Sequence, residues 1–537
     1  MIPHQILKEY NLVRKCRDRS VVCHAPFTNI RFYQGGDAAV CALNAVHILG
    51  TYPRDSIRDM WLGARAAELR EAMRSNDLSL GCAWCAHELM SRNFTGAKST
   101  FDRYADGKDA GKWAALLFRR VKRHFVPRPE PKLPKSMELS LSNTCNLECV
   151  MCRGFFSSAI QHKRGGPSPM SNPYDMAFVE QLEEFIPSLS IAHFQGGEPF
   201  LIGINYDIWD RVHRLNPNLD VHITTNATIL NDHVKAVLES LNCHLILSVD
   251  SLHKETYEAI RRNASYEQVM RNMDYFMTYS AAHGRTLTLA VCLMPRNWRE
   301  IPHIVEYCSR RHIVIWFNTV YSPLQFSLRA MSAPELTRIA DTWSTLALPV
   351  NDWVTVTNRD RFASAISQIR QWRDEALRRE EIHDAAGWSQ QQTMDGISEA
   401  GENPVEEMSR VFVEVMSSDS PSKQHVPGNS TSDDEPGARL KEYLYRKLLK
   451  LSEEPFLQCY FSALREAYSI VHGTSPRAKK NELLEKMDRL HNELARHYAR
   501  DAFIMVLAEA DVRDILSWIG ENPPEMLRRL LIDKAAR

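Results

Sequence analysis

Short apolar segments alternate with amphipathic helical segments between residues 137 and 320, and this alternation restricts the fold more than any other feature. The apolar segments have the length of strands and are rich in valine, isoleucine and leucine, as in strands covered on both faces. Strands separated by helices at this spacing predict a parallel sheet. The six predicted strands are residues 137–142, 190–195, 220–225, 244–250, 286–294 and 313–320. A six-stranded partial barrel and an open doubly wound sheet both fit, and in either one ligands bind at the carboxyl ends of the strands.

The rest of the chain is divided around this α/β region. Residues 1–115 contain clustered cysteines and a helical stretch, and residues 116–136 include a connector rich in proline and lysine. Proline fixes φ and removes a backbone donor, so this connector predicts a linker. Residues 331–383 predict a helical extension. Residues 384–438 are polar and predict a disordered linker, and residues 439–537 have the apolar spacing of a small helical domain.

The charge balance and the apolar content of the 537-residue chain restrict its partners. Lys plus Arg and Asp plus Glu both total 66, so no net charge draws the chain to nucleic acid or to an anionic membrane. The first residues lack the apolar core of a signal peptide. No run of about 18 apolar residues predicts a membrane span. We therefore expect a cytoplasmic protein with neither a nucleic-acid nor a membrane partner.

Twelve cysteines require an explanation in such a chain, because cytoplasmic disulfides are rare and clustered thiols there favour metal binding. Cys145, Cys149 and Cys152 follow the first predicted strand, at the ligand-binding edge of a parallel sheet. Three thiolates can hold three irons of a cubane cluster, whereas iron–sulfur clusters normally take four cysteines. One iron then stays open to a small molecule, as in a chemical rather than a structural metal centre. A structural zinc site is the alternative.

The spacing of these three cysteines resembles the C-x3-C-x-φ-C signature of the radical S-adenosylmethionine (SAM) superfamily, where φ is most often aromatic and is Met151 here. The resemblance implies a partial (β/α)6 barrel of the TIM type with a [4Fe–4S] cluster that binds SAM. It also implies an electron donor such as flavodoxin or ferredoxin. In this superfamily SAM is cleaved reductively to methionine and a 5′-deoxyadenosyl radical, which abstracts a hydrogen atom from the substrate.

Further motifs of the superfamily follow the later predicted strands. The sequence Gly-Gly-Glu-Pro at 196–199 resembles the GGEP motif that contacts the methionine amino group, and its glutamate offers an acceptor to an ammonium. Ala227 stands where relatives often have the glycine of TNG, and an arginine of the segment Ile260-Arg261-Arg262-Asn263 is a candidate carboxylate contact. Each motif alone also fits a turn or a polar strand end, and no motif assigns a catalytic acid or base. The cofactor-binding residues that the resemblance implies are Gly196, Gly197, Glu198, Pro199, Thr225, Asn226, Ser248, Asp250 and Asn318.

Four other cysteines near the amino end also have ligand-like spacing. Cys23 and Cys41 bracket Gly36 as C-x12-G-x4-C, and Cys82 and Cys85 form a C-x2-C pair. The glycine predicts a hairpin that turns the second cysteine back toward the first. The set resembles the SPASM/twitch modules of radical SAM enzymes. This resemblance implies a second, auxiliary [4Fe–4S] cluster on these four cysteines. Such a module usually follows the radical domain, whereas here it precedes it. A four-cysteine zinc ribbon is the alternative.

The resemblance to SPASM/twitch proteins implies a radical enzyme that modifies a peptide or protein side chain or backbone, in the manner of a maturase of ribosomally made peptides. Two alternatives stay open. One is a radical dehydrogenase or decarboxylase whose small-molecule substrate is a sugar or aminocyclitol. The other is a non-catalytic iron–sulfur or zinc protein that transfers electrons or acts as a scaffold, which would explain the cysteines but not the motifs at successive strand ends.

Overall fold

The computed structural model describes residues 2–385 apart from 15, 17, 45–46, 91, 93, 95–100, 103–131, 153, 155, 164–171 and 321–323. The predicted linker 384–438, but for its first two residues, and the predicted helical domain 439–537 lie outside the described residues. The strands are β1 Asn29–Phe32, β2 Asp37–Ala39, β3 Gly50–Thr51, β4 Ser136–Leu139, β5 Ile191–Phe194, β6 Asp220–Thr225, β7 Asn242–Ser248, β8 Leu287–Leu293 and β9 Val314–Thr319. In this part of the chain they form one sheet in the order β3-β2-β1-β4-β5-β6-β7-β8-β9.

Helices precede β1 and connect most of the later strands. Asn231 and Ser265 each begin a helix by accepting the backbone N–H three residues further on. No helix among the described residues is long and apolar enough to cross a membrane. The helices are α1 His4–Val13, α2 Ala25–Thr28, α3 Ile57–Leu62, α4 Ala64–Arg74, α5 Ala83–Met90, α6 Ser158–Lys163, α7 Met176–Leu182, α8 Gly203–Leu215, α9 Asp232–Ser240, α10 Lys254–Ile260, α11 Tyr266–Ala282, α12 Ile301–Arg310, α13 Ala333–Ser344 and α14 Trp353–Ala385.

The strands β4 to β9 pair in parallel and in chain order, which confirms the predicted α/β class. The largest difference from the predicted bounds is in the first of these strands, which was expected to reach residue 142 and ends at Leu139. Ser140 still donates its backbone N–H to Phe32 O at 3.0 Å. Beyond Ser140 the chain leaves the sheet and enters the loop that carries the cysteine triad.

One face of the sheet is covered by helices. Phe32 of β1 contacts Phe178 of α7 edge-on, with ring centroids 5.1 Å apart, and Phe194 of β5 contacts Trp209 of α8 in the same way at 5.3 Å. All four side chains are buried, and burying each one stabilises the fold by about 2–3 kcal/mol. Neighbouring residues on these strands alternate with this apolar set, so polar side chains occupy the opposite face.

The amino-terminal strands extend this same sheet. β1 pairs in parallel with β4, from Asn29 opposite Ser136 to Phe32 opposite Leu139. β2 pairs antiparallel with β1, and Gly36 in the turn between them has φ 99°, which confirms the predicted hairpin. The sheet therefore runs across the boundary expected between residues 1–115 and the barrel region 137–330. The domain boundaries themselves stay a prediction.

Candidate functional site

The loop between β4 and α6 carries the cysteine triad. Its backbone forms two hydrogen bonds with the end of α10 and the residues just after it. Val150 donates its N–H to Ile260 O at 2.9 Å, and Glu148 donates to Arg262 O at 3.1 Å. These two hydrogen bonds hold the loop against the end of α10. The triad consists of Cys145 and Cys152, which are partly buried, and Cys149, which is buried.

The turn after β5 packs against this loop. Gly196 and Gly197 both have positive φ, at 83° and 51°. A Cβ atom on Gly197 would overlap the carbonyl oxygen of Thr144, and Glu198 donates its backbone N–H to that same oxygen at 2.8 Å. The close approach therefore requires a glycine at position 197.

We expect Gly197→Ala to lower the free energy of unfolding by roughly 1–3 kcal/mol, because the left-handed backbone and the Thr144 carbonyl both oppose a methyl group. Chemical denaturation measures this loss. Gly203→Ala is the matched control, since a Cβ at the first residue of α8 meets nothing within 4 Å. Equal losses in the two variants would contradict the steric explanation.

Glu198 is fully buried, and its carboxylate joins two of the predicted motifs. One oxygen accepts the Thr225 hydroxyl at 2.8 Å, and the other accepts the Asn226 backbone N–H at 2.7 Å. Burial raises the pKa of Glu198 to about 7, although these hydrogen bonds act to lower it. In this structure the carboxylate thus holds the end of β6 against the turn after β5. Its contact with an ammonium group stays a prediction.

The raised pKa of Glu198 makes the stability of the fold depend on pH. Because the folded pKa of about 7 exceeds the ordinary value of 4.5, the folded state binds the proton more tightly than the unfolded state does. This contribution to stability is fully present below about pH 4.5 and is lost as the pH rises through about 7, a change of about 3 kcal/mol.

We therefore expect the unfolding free energy of the wild type, measured relative to Glu198→Gln, to fall by about 3 kcal/mol across this pH window. Urea unfolding at a series of pH values measures it. Glu68→Gln, at an exposed position of α4, is the control. A difference between wild type and Glu198→Gln that does not change with pH would contradict the expectation.

Asn226 brings the end of β6 to the cysteine triad. Its side-chain amide donates to Asn146 Oδ1 at 3.0 Å and lies 3.9 Å from Cys145 Sγ. Ala227 follows with φ 61° and is fully buried. Ala227 thus adopts the left-handed backbone conformation that ordinarily favours glycine.

Asp250 and Arg261 form a buried ion pair beside Cys149. Arg261 Nε lies 2.8 Å from Asp250 Oδ2, and Arg261 Nη1 lies 3.8 Å from Cys149 Sγ. Asp250 Oδ1 also accepts the backbone N–H of Cys292 at 2.7 Å. Burial raises the pKa of Cys149 to about 11, while the nearby guanidinium lowers it. Asp250 is thus already engaged within the protein, and its predicted contact with the cofactor stays a prediction.

The remaining predicted residues lie at the ends of neighbouring elements. Ser248 is the last residue of β7, and Pro199 is buried at the start of a short 3₁₀ turn. Asn318 stands opposite Cys292 in the sheet and accepts the indole N–H of Trp316 at 3.0 Å. The structure thus places them near the carboxyl edge of the sheet, and their contacts with a cofactor stay predictions.

Cys292 belongs to neither of the two cysteine sets that the sequence analysis singles out, but the structure places it near the triad. Its thiol interacts electrostatically with Cys149, Cys152 and the ion pair, and burial raises its pKa. The signal that could have revealed it is its position near the carboxyl end of a parallel strand, where ligands gather.

A row of polar side chains crosses five adjacent strands, and the search for sequence motifs did not detect it either. Gln195 donates to Glu138 Oε2 at 3.2 Å, and the rings of His222 and His244 stack with centroids 5.0 Å apart. The alternation of polar with apolar residues in these strands was the available signal. This polar row consists of Arg31, Glu138, His193, His222 and His244, each in register with the next.

The β1–β2 hairpin and the start of α5 bring the four amino-terminal cysteines together. Ala25 donates its backbone N–H to Cys23 Sγ at 3.4 Å, and Asn44 donates to Cys82 Sγ at 3.1 Å. Burial raises the pKa of both thiols, and metal coordination would instead deprotonate them. N–H groups aimed at sulfur orient and stabilise thiolate ligands, so these residues have the donor chemistry of an iron–sulfur or zinc site. The four thiols that interact electrostatically are Cys23, Cys41, Cys82 and Cys85.

Comparison with known proteins identifies the class of the α/β region. Residues 139–308 match the sequence profile of the Radical SAM superfamily. They form a radical SAM domain, whose cofactors are a [4Fe–4S] cluster and SAM. The triad, with the Asn226 and Arg261 donors directed at its sulfurs, fits such a cluster. The SPASM/twitch assignment of the amino-terminal region stays a prediction.

Among curated proteins, the chain is similar to the GTP 3′,8-cyclase of Limosilactobacillus fermentum, at 28% identity over 190 residues that are 35% of this chain and 54% of the relative. It is 31% identical to the probable GTP 3′,8-cyclase of Methanothermobacter thermautotrophicus over 185 residues, which are 34% of this chain and 55% of that protein. The chain thus spans about half the length of these curated relatives.

Two solved structures are similar to part of the chain. Native anSMEcpe with bound AdoMet is 18% identical, with a TM-score of 0.31, over 39% of this chain and 60% of that chain. Streptococcus suis SuiB bound to S-adenosylmethionine is 13% identical, with a TM-score of 0.31, over 50% of this chain and 63% of that chain.

Proposed function

We propose that the triad holds the [4Fe–4S] cluster of a radical SAM enzyme that abstracts a hydrogen atom from a peptide or protein substrate. The strongest support is that four features lie together at one edge of the parallel sheet. They are the triad loop, the glycine turn, Asn226 and the Arg261–Asp250 pair. When bound, the cluster supplies the electron that breaks a sulfur–carbon bond of SAM. This arrangement favours the enzyme over a non-catalytic iron–sulfur or zinc protein.

The residues of this chain bind and orient the cofactors. Because Gly196 and Gly197 carry no side chain, the turn packs closely on Ser140 and Thr144 beside the triad loop, where we propose that it meets the methionine end of SAM. Glu198 keeps this turn and Asn226 in a fixed relation through the hydrogen bonds that it accepts from the end of β6. Val150 and Met294 belong to a small apolar cluster beside the triad that limits access of water.

The substrate proposal rests on the polar row and on the amino-terminal cysteines. Arg31 and Glu138 form an ion pair on the sheet face opposite the one that packs on α7 and α8, and the imidazoles continue that row. Charged and imidazole side chains are groups of the kind that contact peptide amides and polar side chains. The spacing of Cys23, Cys41, Cys82 and Cys85, which resembles modules of peptide-modifying enzymes, adds to this proposal.

We propose in addition that these four cysteines hold an auxiliary [4Fe–4S] cluster. Four thiolates complete such a cluster without an open iron. Its role is to carry electrons between the substrate and an electron donor such as flavodoxin or ferredoxin. The β1–β2 hairpin, which lies between Cys23 and Cys41 in the chain, pairs directly with the first strand of the radical SAM domain and keeps the two regions adjacent.

A nucleotide substrate is a second candidate, favoured by the similarity to GTP 3′,8-cyclases over the α/β region. Deuterium transfer distinguishes the candidates. The reconstituted protein is incubated anaerobically with SAM and dithionite, together with either deuterated peptides or deuterated GTP, and 5′-deoxyadenosine is analysed by mass spectrometry. Label from peptides supports the proposal, label from GTP supports the cyclase type, and no 5′-deoxyadenosine in any reaction contradicts a radical SAM activity.

A further inference from the structure

We propose that Arg261, held in place by Asp250, is a positioning residue that raises the reduction potential of the cluster at the triad. This inference rests on the proposed function of the triad. It concerns a contact within the protein, between a guanidinium and the sulfur of Cys149.

The guanidinium is confined by its surroundings. Arg261 is 7% exposed and Asp250 is 0% exposed, Nε lies 2.8 Å from Oδ2 in an ion pair, and Nη1 donates toward Cys149 Sγ at 3.8 Å. Asp250 is itself held, because its other oxygen accepts the Cys292 N–H and its carbonyl accepts the side-chain amide of Asn297 at 2.8 Å. The pair therefore forms a fixed dipole whose positive end faces the triad.

A charge in this place acts on the redox equilibrium of the cluster. Reduction adds one negative charge, and the potential of an iron–sulfur cluster depends on nearby charge, on hydrogen bonds to its sulfurs and on solvent exposure. Arginine stays protonated in proteins, and here the Asp250 carboxylate raises its pKa further against the opposing effect of burial. Because the site is buried, its charges are screened far less than at the surface. The guanidinium stabilises the reduced cluster, and the carboxylate behind it partly offsets that effect.

The two members of the pair must then have opposite effects when changed. Arg261→Met removes the positive charge and leaves the carboxylate, so the midpoint potential becomes more negative. Asp250→Asn keeps the shape and the acceptor for the Cys292 N–H but removes the negative charge, so the potential becomes more positive. A purely structural role, in which either change loosens the loop, gives no reason for opposite signs.

Potentiometric titration monitored by electron paramagnetic resonance tests this on the full chain, reconstituted anaerobically and titrated without SAM. The cluster at the triad is identified as the signal that changes when SAM is added. At the wild-type midpoint we expect the ratio of reduced to oxidised cluster to fall about tenfold in Arg261→Met and to rise about tenfold in Asp250→Asn, which corresponds to about 59 mV each. Arg261→Lys, which keeps the charge, should shift less than Arg261→Met.

The control is Arg329→Met. This change breaks a partly buried ion pair elsewhere, in which Arg329 lies 3.0 Å from Glu375, and it should leave the midpoint potential of the cluster unchanged. Shifts of the same sign in the two test variants, or no shift in either, overturn the inference. If Arg261→Met does not assemble a cluster, Asp250→Asn remains decisive, since anything but a more positive midpoint overturns it. If the wild type shows no SAM-sensitive cluster signal, the proposed function fails and this inference fails with it.

Discussion

Cys149→Ala is expected to abolish the formation of 5′-deoxyadenosine from SAM. Cys149 is the buried member of the triad, and its loss leaves two thiolates for the cluster. We expect the rate to fall by at least about a thousandfold, equivalent to about 4 kcal/mol in the barrier. Chromatography of anaerobic reactions with SAM and dithionite measures the product, and iron analysis shows whether the cluster is retained.

Cys308→Ala is the matched control for this prediction. Cys308 is also a fully buried cysteine, but it belongs to α12 and packs in the large apolar core. The change should cost some stability through a small cavity and leave the rate of SAM cleavage close to that of the wild type. A Cys149→Ala protein that retains its iron and cleaves SAM at the wild-type rate would contradict the assignment of the triad.

Replacing Cys23, Cys41, Cys82 and Cys85 together by alanine is expected to halve the iron content, from about eight to about four per chain, since each cubane holds four irons. SAM cleavage should persist because the triad is untouched, while turnover of the peptide substrate should be lost. Iron and zinc analysis, the 5′-deoxyadenosine assay and mass spectrometry of the substrate give the three measurements.

The control for this change is Cys243→Ala, a fully buried cysteine of β7 that packs in the large apolar core. It should leave the iron content unchanged. A wild-type content of about four irons and one zinc would instead establish the four-cysteine zinc ribbon at this site. Loss of SAM cleavage in the fourfold variant would show that the two sites are not independent.

The order and type of the barrel elements could be predicted from the sequence because they depend on local patterns. β6, for example, begins and ends where the apolar run predicts. The end of β4 could not be predicted, since MELSLS continues its alternation past the point where the cysteine loop leaves the sheet. The pairing of β1 with β4 is also invisible in the sequence, because it joins segments far apart in the chain.

The same distinction applies to the site. The triad and the glycine turn have fixed spacing, so motif reasoning finds them. The buried roles of Glu198 and Asp250 depend on neighbours from other strands, and no sequence pattern reveals that both carboxylates are occupied by protein donors. Cys292 and the polar row were missed for the same reason, since each residue is unremarkable until the strands are aligned in register.

The junction of β1 with β4 also affects how the chain is made. The side chains of Asn29 and Ser136, which bond across this junction, are separated by 107 positions. At a synthesis rate of about 5–20 residues per second, the hairpin waits roughly 5–20 s at the ribosome before its partner strand is complete. During that time β1 exposes an unpaired edge that can pair with other chains. We therefore expect slower translation between these two strands to increase aggregation of the newly made protein.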